Sequence, residues 1–411
     1  MDNFKTPVAM HGDGNHPTNQ VTPNLLRRVN ERRILEAIQT KGSLSRAGLV
    51  RQTGISPPTV SKLVRSLIAA RLLEEGDVLA PAPGRPARVL HLAHAGVRVL
   101  GAVVEANECC IAATGLDGRL RDSQTHRFPT PDSYPALIEA LVKHARRLTP
   151  RGEKAGTLAL GISVPGLIDR RQQQVLLSSN LHLLEQHTFA EDLQKRLGVQ
   201  TILLHDTHGL CLAERAFGQA KGIDDFVFID ATGGLGAAVM NDGRLMTGHS
   251  GLAGEIGHVT VDPKGRRCGC GNIGCLETLA TDVAFAEAVS EQLGEKMDIE
   301  RVVQMLRSEE SDSTSESRRA KISAEIDRTL EYLGIAIATL VNIFNPAAVF
   351  VRSRMFDIRD DLFDALLERV RRRALGPLLA GCKILRATDS KLHGAIAGTI
   401  HHLTSVLGPK M

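Results

Sequence analysis

Strands alternate with helices along most of this chain, which predicts an α/β protein with a small helical unit in front. Three observations carry that reading. Two sets of short apolar strands, each followed by helices, begin near Val97 and Asp225 and predict two related lobes with a cleft between them. Ahead of them lie three short helices with a glycine turn, in a stretch where Lys and Arg well outnumber the acidic residues. Past the opening strands of the second set, Gly254–Glu277 gathers three cysteines and a histidine in a glycine-rich loop.

With 411 residues and 43% apolar content the chain has room for two or three domains with proper cores. No apolar run approaches a membrane span, and the N-terminus lacks the basic-then-apolar export pattern. Together with cysteines clustered as ligands, this predicts a cytoplasmic protein and argues against secreted or membrane classes. The net charge of +4 says little over the whole chain; its concentration near the N-terminus says more.

Residues 1–22 are polar, carry no periodicity and read as a disordered tail. Residues 23–92 read as a winged helix-turn-helix. The pattern becomes helical from Thr22, and Ile34, Leu35 and Ile38 repeat at helical spacing through Asn30–Thr40, where Gly42 stops the helix. Ser45 caps a second helix, Ser45–Thr53, and Gly54 makes the turn. Ser56-Pro57-Pro58 opens a third, running to about Ala70, with prolines where a missing N–H costs nothing. Val60, Leu63, Val64, Leu67 and Ile68 form its buried face. Ser56, Thr59, Ser61, Lys62 and Arg65 stay outside, on the helix expected to enter the major groove. Val78-Leu79 and Arg88–Leu92 read as a two-stranded wing around a Gly84-Arg85-Pro86 tip.

Residues 97–206 form the expected first lobe. Strands are predicted at Val97–Val104, Cys109–Gly115 and Leu120–His126, with a helix at Ser133–Leu148. A buried strand Leu158–Val164, a helix Phe189–Leu197 and a strand Thr201–His205 follow. Residues 207–390 form the second lobe, starting with a helix at Thr207–Gly218 and strands at Asp225–Ile229 and Gly236–Met240. Helices run from Thr278 to about Asn342 around a polar loop at Ser308–Ser317. Strand Val349–Val351, helix Asp357–Ala374 and strand Cys382–Arg386 come next. The last helix, residues 393–407, returns to the first lobe.

Cys268, Cys270 and Cys275 are spaced C-x-C-x4-C, and His258 lies ten residues before the first. Gly265, Gly269, Gly271 and Gly274 let the backbone fold tightly enough for all four side chains to meet. A Cys3His set is a closed tetrahedral zinc site with no place for a catalytic water, so the metal is expected to be structural. Glu255 and Glu277 bracket it. Cys109, Cys110, Cys211 and Cys382 are scattered in apolar surroundings and read as inert thiols.

Gly254–Glu277 resembles the sugar-site and zinc segment of the ROK family, named for repressors, open reading frames and kinases. The family pattern is G-E-x-G-H followed by C-x-C-G-x-x-G-C-x-E, and the match is complete. The resemblance spans nearly the whole chain and is to the repressor branch, that of the bacterial glucose and N-acetylglucosamine repressors. It implies an actin-like, hexokinase-like pair of lobes behind the winged helix, with Arg85 entering the minor groove. It implies sugar contacts from Asn180, Asp206, Glu255, His258 and Glu277, with Asp206 at the position of the kinase base. Asp206 also suits a helix cap, Glu277 a helix dipole, and Asn180 a loop amide. His258 would give one ring nitrogen to zinc and the other to a neighbour. His205 stands where the kinases have Asn.

The nucleotide side departs from the kinases. Their D-x-G-G-T positions are held here by Val103, Glu105, Ala106, Asn107 and Glu108. Thr232 sits one place out of register in the second phosphate loop, and Arg352-Ser353 replace a glycine pair. The resemblance therefore implies a sugar-responsive DNA-binding regulator, a repressor, that is not an enzyme. The alternative is an ATP-dependent carbohydrate kinase with an added DNA-binding domain. Expected partners are operator DNA read by a homodimer or dimer of dimers, a sugar or sugar phosphate and, in a further reading, a sugar-transport protein docked on the body.

Overall fold

The computed structural model describes residues 23–78, 88–94, 97–149, 156–169, 172–178, 181–307 and 313–406. Asn180, Arg85 with its wing tip, and the expected N-terminal tail lie outside these residues.

The N-terminal unit runs α1 (Pro23–Lys41), β1 (Leu44–Ser45), α2 (Arg46–Thr53), α3 (Pro57–Ala69), β2 (Leu73–Val78) and β3 (Arg88–Leu92). Ile34, Leu35, Ile38, Leu49, Val60, Leu63, Val64 and Leu67 close its core. Ser45 Oγ accepts the Gly48 N–H at 3.1 Å and opens α2; Gly54, at φ 66°, ends it. α1 begins at Pro23, beside Thr22 where the sequence turns helical, and runs on through the periodic Asn30–Thr40 stretch. Leu26 and Val29 on its early turns are about half exposed, so the buried periodicity that marks the rest of the helix is missing there. β3 lies between β1 and β2 in a small antiparallel sheet.

The first lobe runs β4 (Val97–Val104), β5 (Glu108–Thr114), β6 (Thr125–Pro129), α4 (Tyr134–Leu148), β7 (Gly156–Val164), β8 (Leu167–Asp169), β9 (Gln174–Leu177), α5 (Phe189–Leu197), β10 (Gln200–His205) and α6 (Asp206–Ala216). The third strand starts later than expected. Leu120 packs toward the apolar cluster beneath the wing, and pairing with β5 begins only at Thr125.

The second lobe continues with β11 (Phe226–Asp230), β12 (Gly236–Asn241), β13 (Arg244–Leu245), α7 (Glu277–Ala280), α8 (Asp282–Leu293), α9 (Ile299–Arg307) and α10 (Ser313–Phe344). It ends with β14 (Ala348–Arg352), α11 (Asp361–Arg371), α12 (Gly376–Ala380), β15 (Lys383–Arg386) and α13 (Lys391–Val406). α10 starts at Ser313, inside the segment expected to be a loop. Its first buried apolar residue is Ile322, so nothing periodic marks its start in the sequence.

The two five-stranded sheets share one topology. The first has the order β10-β7-β4-β5-β6 and the second β15-β14-β11-β12-β13. In each, the first strand pairs antiparallel with the second and parallel with the fourth. The lobes are thus two copies of one plan.

α13 crosses back over β4 and β7 against α6. Gly101 and Gly161, paired in register on those strands, make room for it. A Cβ on Gly161 would lie 1.8 Å from Thr399 Oγ1, and one on Gly101 2.5 Å from Ile396 Cγ1. Leu90, Leu92, Val97, Val99, Ile396 and Ile400 belong to one apolar cluster, so the winged unit is packed onto this lobe. Among the described residues no helix is long and apolar enough to cross a membrane.

Candidate functional site

The loop between β13 and α7 folds back on itself. Val261 N–H reaches Gly274 O at 2.9 Å, Gly274 N–H reaches Arg266 O at 2.8 Å, and Cys268 N–H reaches Asn272 O at 2.8 Å. Gly274 must be glycine: its φ is +70°, and a Cβ would lie 1.5 Å from Asp262 O. These turns bring His258, Cys268, Cys270 and Cys275 together, with one ligand atom of each within 4.8 Å of all the others. Cys268 Sγ lies 3.7 Å from His258 Nδ1, and Cys270 Sγ 3.8 Å from Cys275 Sγ. A tetrahedron with metal–sulfur bonds of about 2.3 Å has edges of about 3.8 Å, so the donor set fits a thiolate-bound metal ion. His258 would bind it through Nδ1, because Nε2 faces Glu255 Oε2 at 3.9 Å.

From His258 a chain of polar contacts crosses the cleft. Glu255 Oε1 lies 3.2 Å from His205 Nε2, and His205 Nδ1 lies 3.5 Å from Asp206 Oδ1. Asp206 is the first residue of α6, following His205 at the end of β10. Its Oδ1 accepts from its neighbour Thr207 N–H at 2.7 Å, and its Oδ2 meets Lys391 Nζ at 3.2 Å. Lys391 opens α13 and also meets Glu105 Oε1 at 2.7 Å. Glu277, first residue of α7, accepts Leu235 N–H at 3.1 Å and receives the Cys268 thiol at 3.7 Å. It therefore joins the cysteine cluster to the second phosphate loop.

The charges in this chain hold one another in place. Burial opposes the Asp206 carboxylate, but Lys391 and His205 beside it outweigh burial and bring its pKa down to about 2. Burial opposes the His205 cation too, yet the hydrogen bond to Glu255 and the Asp206 charge raise its pKa. Lys391 is likewise held cationic against burial, chiefly by Asp206.

At the positions that the sequence comparison with the kinases assigns to phosphates, the chain makes polar contacts of its own. Arg352 Nη1 sits 3.0 Å from both Asp230 Oδ1 and Thr232 Oγ1. Ser353 Oγ donates to Asp282 Oδ1 at 2.6 Å, and the Arg354 and Met355 N–H groups donate to the same carboxylate. Burial pushes the Asp282 pKa up to about 7 despite those donors. Lys391, Asp230 and Asp282 were not among the sequence-predicted site residues. Nothing in their local sequence marks them, since each partner comes from a distant segment.

Of the predicted DNA-contacting residues, Ser56, just before α3, and Lys62 and Arg65 on it are exposed, and Thr59 and Ser61 are half-buried. Ser56 Oγ lies 2.8 Å from Thr59 Oγ1. A cavity of about 680 Å³ reaches from His205 and His208 to Arg32 on α1 and Arg244 on β13. It places the end of the cleft next to the N-terminal unit.

A model described as the ROK family matches residues 104–403, and one described as the MarR family matches residues 24–82. The chain is 27% identical over 379 residues to the DNA-binding transcriptional repressor Mlc of Escherichia coli strain K12, covering 91% of this chain and 92% of that protein. It is 25% identical over 367 residues to the DNA-binding transcriptional dual regulator NagC of the same strain, covering 89% and 90%. It is 25% identical over 370 residues to a xylose repressor of Bacillus spizizenii, covering 89% and 92%. Among solved structures it is similar to a ROK family transcriptional regulator described as a homolog of the E. coli MLC protein, with TM-score 0.76 and 25% identity over 92% of this chain and 97% of that one. It is also similar to a ROK hexokinase from Thermus thermophilus, with TM-score 0.61 and 25% identity over 74% and 97%. With the complete cysteine–histidine motif, the duplicated sheets and a family match across both lobes, the chain belongs to the ROK family and carries a MarR-type winged helix in front of it.

Proposed function

We propose that this chain is a sugar-responsive DNA-binding transcriptional regulator, a cytoplasmic repressor of carbohydrate uptake or catabolism genes, released by a sugar or sugar phosphate. One observation carries the reading. The cleft keeps the carboxylates that suit sugar hydroxyls, while the phosphate-binding side is closed by the chain's own Glu105–Lys391 and Arg352–Asp230 pairs. The repressors named above support it on the relatives' side.

In this reading Asp206, Glu255, His258 and Glu277, with Asn180, accept and donate hydrogen bonds to vicinal hydroxyls. Such a site rejects ligands that would strand its buried polar groups. The metal is zinc, held by His258, Cys268, Cys270 and Cys275, where it ties down the segment bearing Glu255 and Glu277. Residues 23–92 read operator DNA, with Ser56, Thr59, Ser61, Lys62 and Arg65 in the major groove and Arg85 in the minor groove. Residues 97–206 and 207–390 are the sensor lobes. A homodimer sets the spacing of two wings, and a sugar that binds one lobe angle better than another shifts that spacing. Glu105 stands where an approaching phosphate would need neutral or positive surroundings, so the chain is not expected to act as an enzyme.

The test is operator binding. The purified protein is mixed with fragments upstream of its own gene and of adjacent sugar genes at fixed, near-physiological salt. Glucose, N-acetylglucosamine, xylose and their phosphates are then added. Release by one compound is the expected result. Specific binding that no sugar alters points instead to a sugar-transport protein as the effector. No specific binding, with sugar-dependent ATP turnover, restores the kinase reading.

A further inference from the structure

The wing carries a second cluster of donor side chains, far from the cysteines in sequence. Glu74 and His91 stand directly opposite each other on β2 and β3, so both side chains leave the same face. Just past β3, His94 turns back over that face. Its Nδ1 lies 3.3 Å from Glu74 Oε2, and its ring centroid is 5.0 Å from that of His91. One donor atom from each of the three residues falls within 4.8 Å of the others, and His94 is half-exposed.

Two observations favour a cation over a plain ion pair. His91 Nδ1 lies 3.2 Å from Leu92 O; a carbonyl only accepts, so Nδ1 is placed to donate, and in the neutral ring that leaves the Nε2 lone pair for a metal. A backbone-anchored imidazole of this kind is the usual state of a metal-bound histidine. Nε2 also faces Gly76, where a Cβ would come within 3.1 Å of it, so the glycine keeps the approach to that nitrogen open.

The connecting segment is seated on both units. Ala93 N–H donates to Leu72 O at 3.2 Å, and Ala93 O accepts Leu116 N–H of the first lobe at 2.8 Å. His94 lies so close to the lobe that a Cβ on Gly115 would stand 2.5 Å from its Cα. Two donors thus come from the wing and the third from a residue resting on the lobe.

We propose that Glu74, His91 and His94 form a second metal site that takes a divalent transition-metal ion (zinc, cobalt or nickel) and fixes the wing against the first lobe. Two imidazoles and one carboxylate suit such borderline ions, leave a fourth position for water, and disfavour calcium or magnesium, which prefer all-oxygen sets. The ion favours the wing–lobe angle that brings its three ligands together, and so biases the equilibrium on which DNA binding depends. That last step rests on the regulator reading; the site itself does not.

The test is a Co2+ titration of the tag-free, metal-stripped full-length chain. Two equivalents are expected. Co2+ at the cysteines gives intense thiolate charge-transfer absorption; Co2+ at a nitrogen and oxygen site gives only weak visible bands. His94→Ala and Glu74→Gln should each weaken the second equivalent by about tenfold or more and leave the thiolate band intact. A single equivalent, or a second one that persists unchanged in a His91→Asn/His94→Ala double variant, overturns the site. Operator affinity that is equal with one and two equivalents bound overturns the clamp. If no operator is bound in either state, the regulator reading fails, while the stoichiometry still decides the site.

Discussion

Lys391 reaches the exposed Glu105 on one side and the largely covered Asp206 on the other, so only the Asp206 bond is made away from bulk water. Removing one partner of a buried charge group leaves the others uncompensated. Lys391→Met is therefore expected to cost roughly 3–5 kcal/mol, read as a lower urea midpoint at unchanged slope. Asp206→Asn keeps the shape but loses the charge that selects hydroxyls. It should raise the sugar concentration needed for operator release by about tenfold or more, measured by operator binding across a sugar titration. His205 gives a pH signature. Its pKa is raised in the folded state, so its contribution is full below its ordinary value near ~6.5 and is lost as pH climbs through the higher folded value. It faces Glu255, Asp206, Lys391 and His208. The melting-temperature advantage of wild type over His205→Gln should thus be largest near pH ~6 and shrink toward pH ~9; an advantage that grows with pH would refute this arrangement.

The cysteine loop and the helix that follows it act as one piece, because Glu277 joins the Cys268 thiol to Leu235 of the second phosphate loop. Chelation, or Cys270→Ser, should lower the melting temperature by at least about 3 °C and blunt the sugar response together. An apoprotein with unchanged stability and response would count against a structural metal. The loop was legible in the sequence: donors close in sequence, glycines between them, and carboxylates at both ends. α10 was legible only in part, since its opening turns carry no buried face. The early turns of α1 likewise carry little buried periodicity, with Leu26 and Val29 about half exposed, although the helical pattern is legible from Thr22.

For the whole molecule, DNA binding and sugar binding must be separable yet linked. Lys62→Ala on α3 should weaken operator binding about equally across sequences and reduce the slope of log affinity against log salt by about 1, measured by fluorescence anisotropy. The winged unit shares an apolar cluster with β4 and α13, so a change in the cleft that moves α13 has a route to the wing. Lys391 at the start of that helix is the point where the cleft holds it.

The sequence by itself determined what local chemistry can state: the alternation of strands and helices, the capped and proline-opened helices of the winged unit, the tetrad of His258, Cys268, Cys270 and Cys275, and the loss of the kinase glycines at Glu105 and Ala106. Only the tertiary structure decided what occupies that altered loop. Lys391 and Glu105 lie 286 positions apart and meet because α13 folds back across glycines of β4 and β7. The same holds for Arg352 with Asp230, and for the wing's Glu74 with His91 and His94. Pairings of this kind depend on strand register and helix return, which side-chain periodicity along a single segment does not encode.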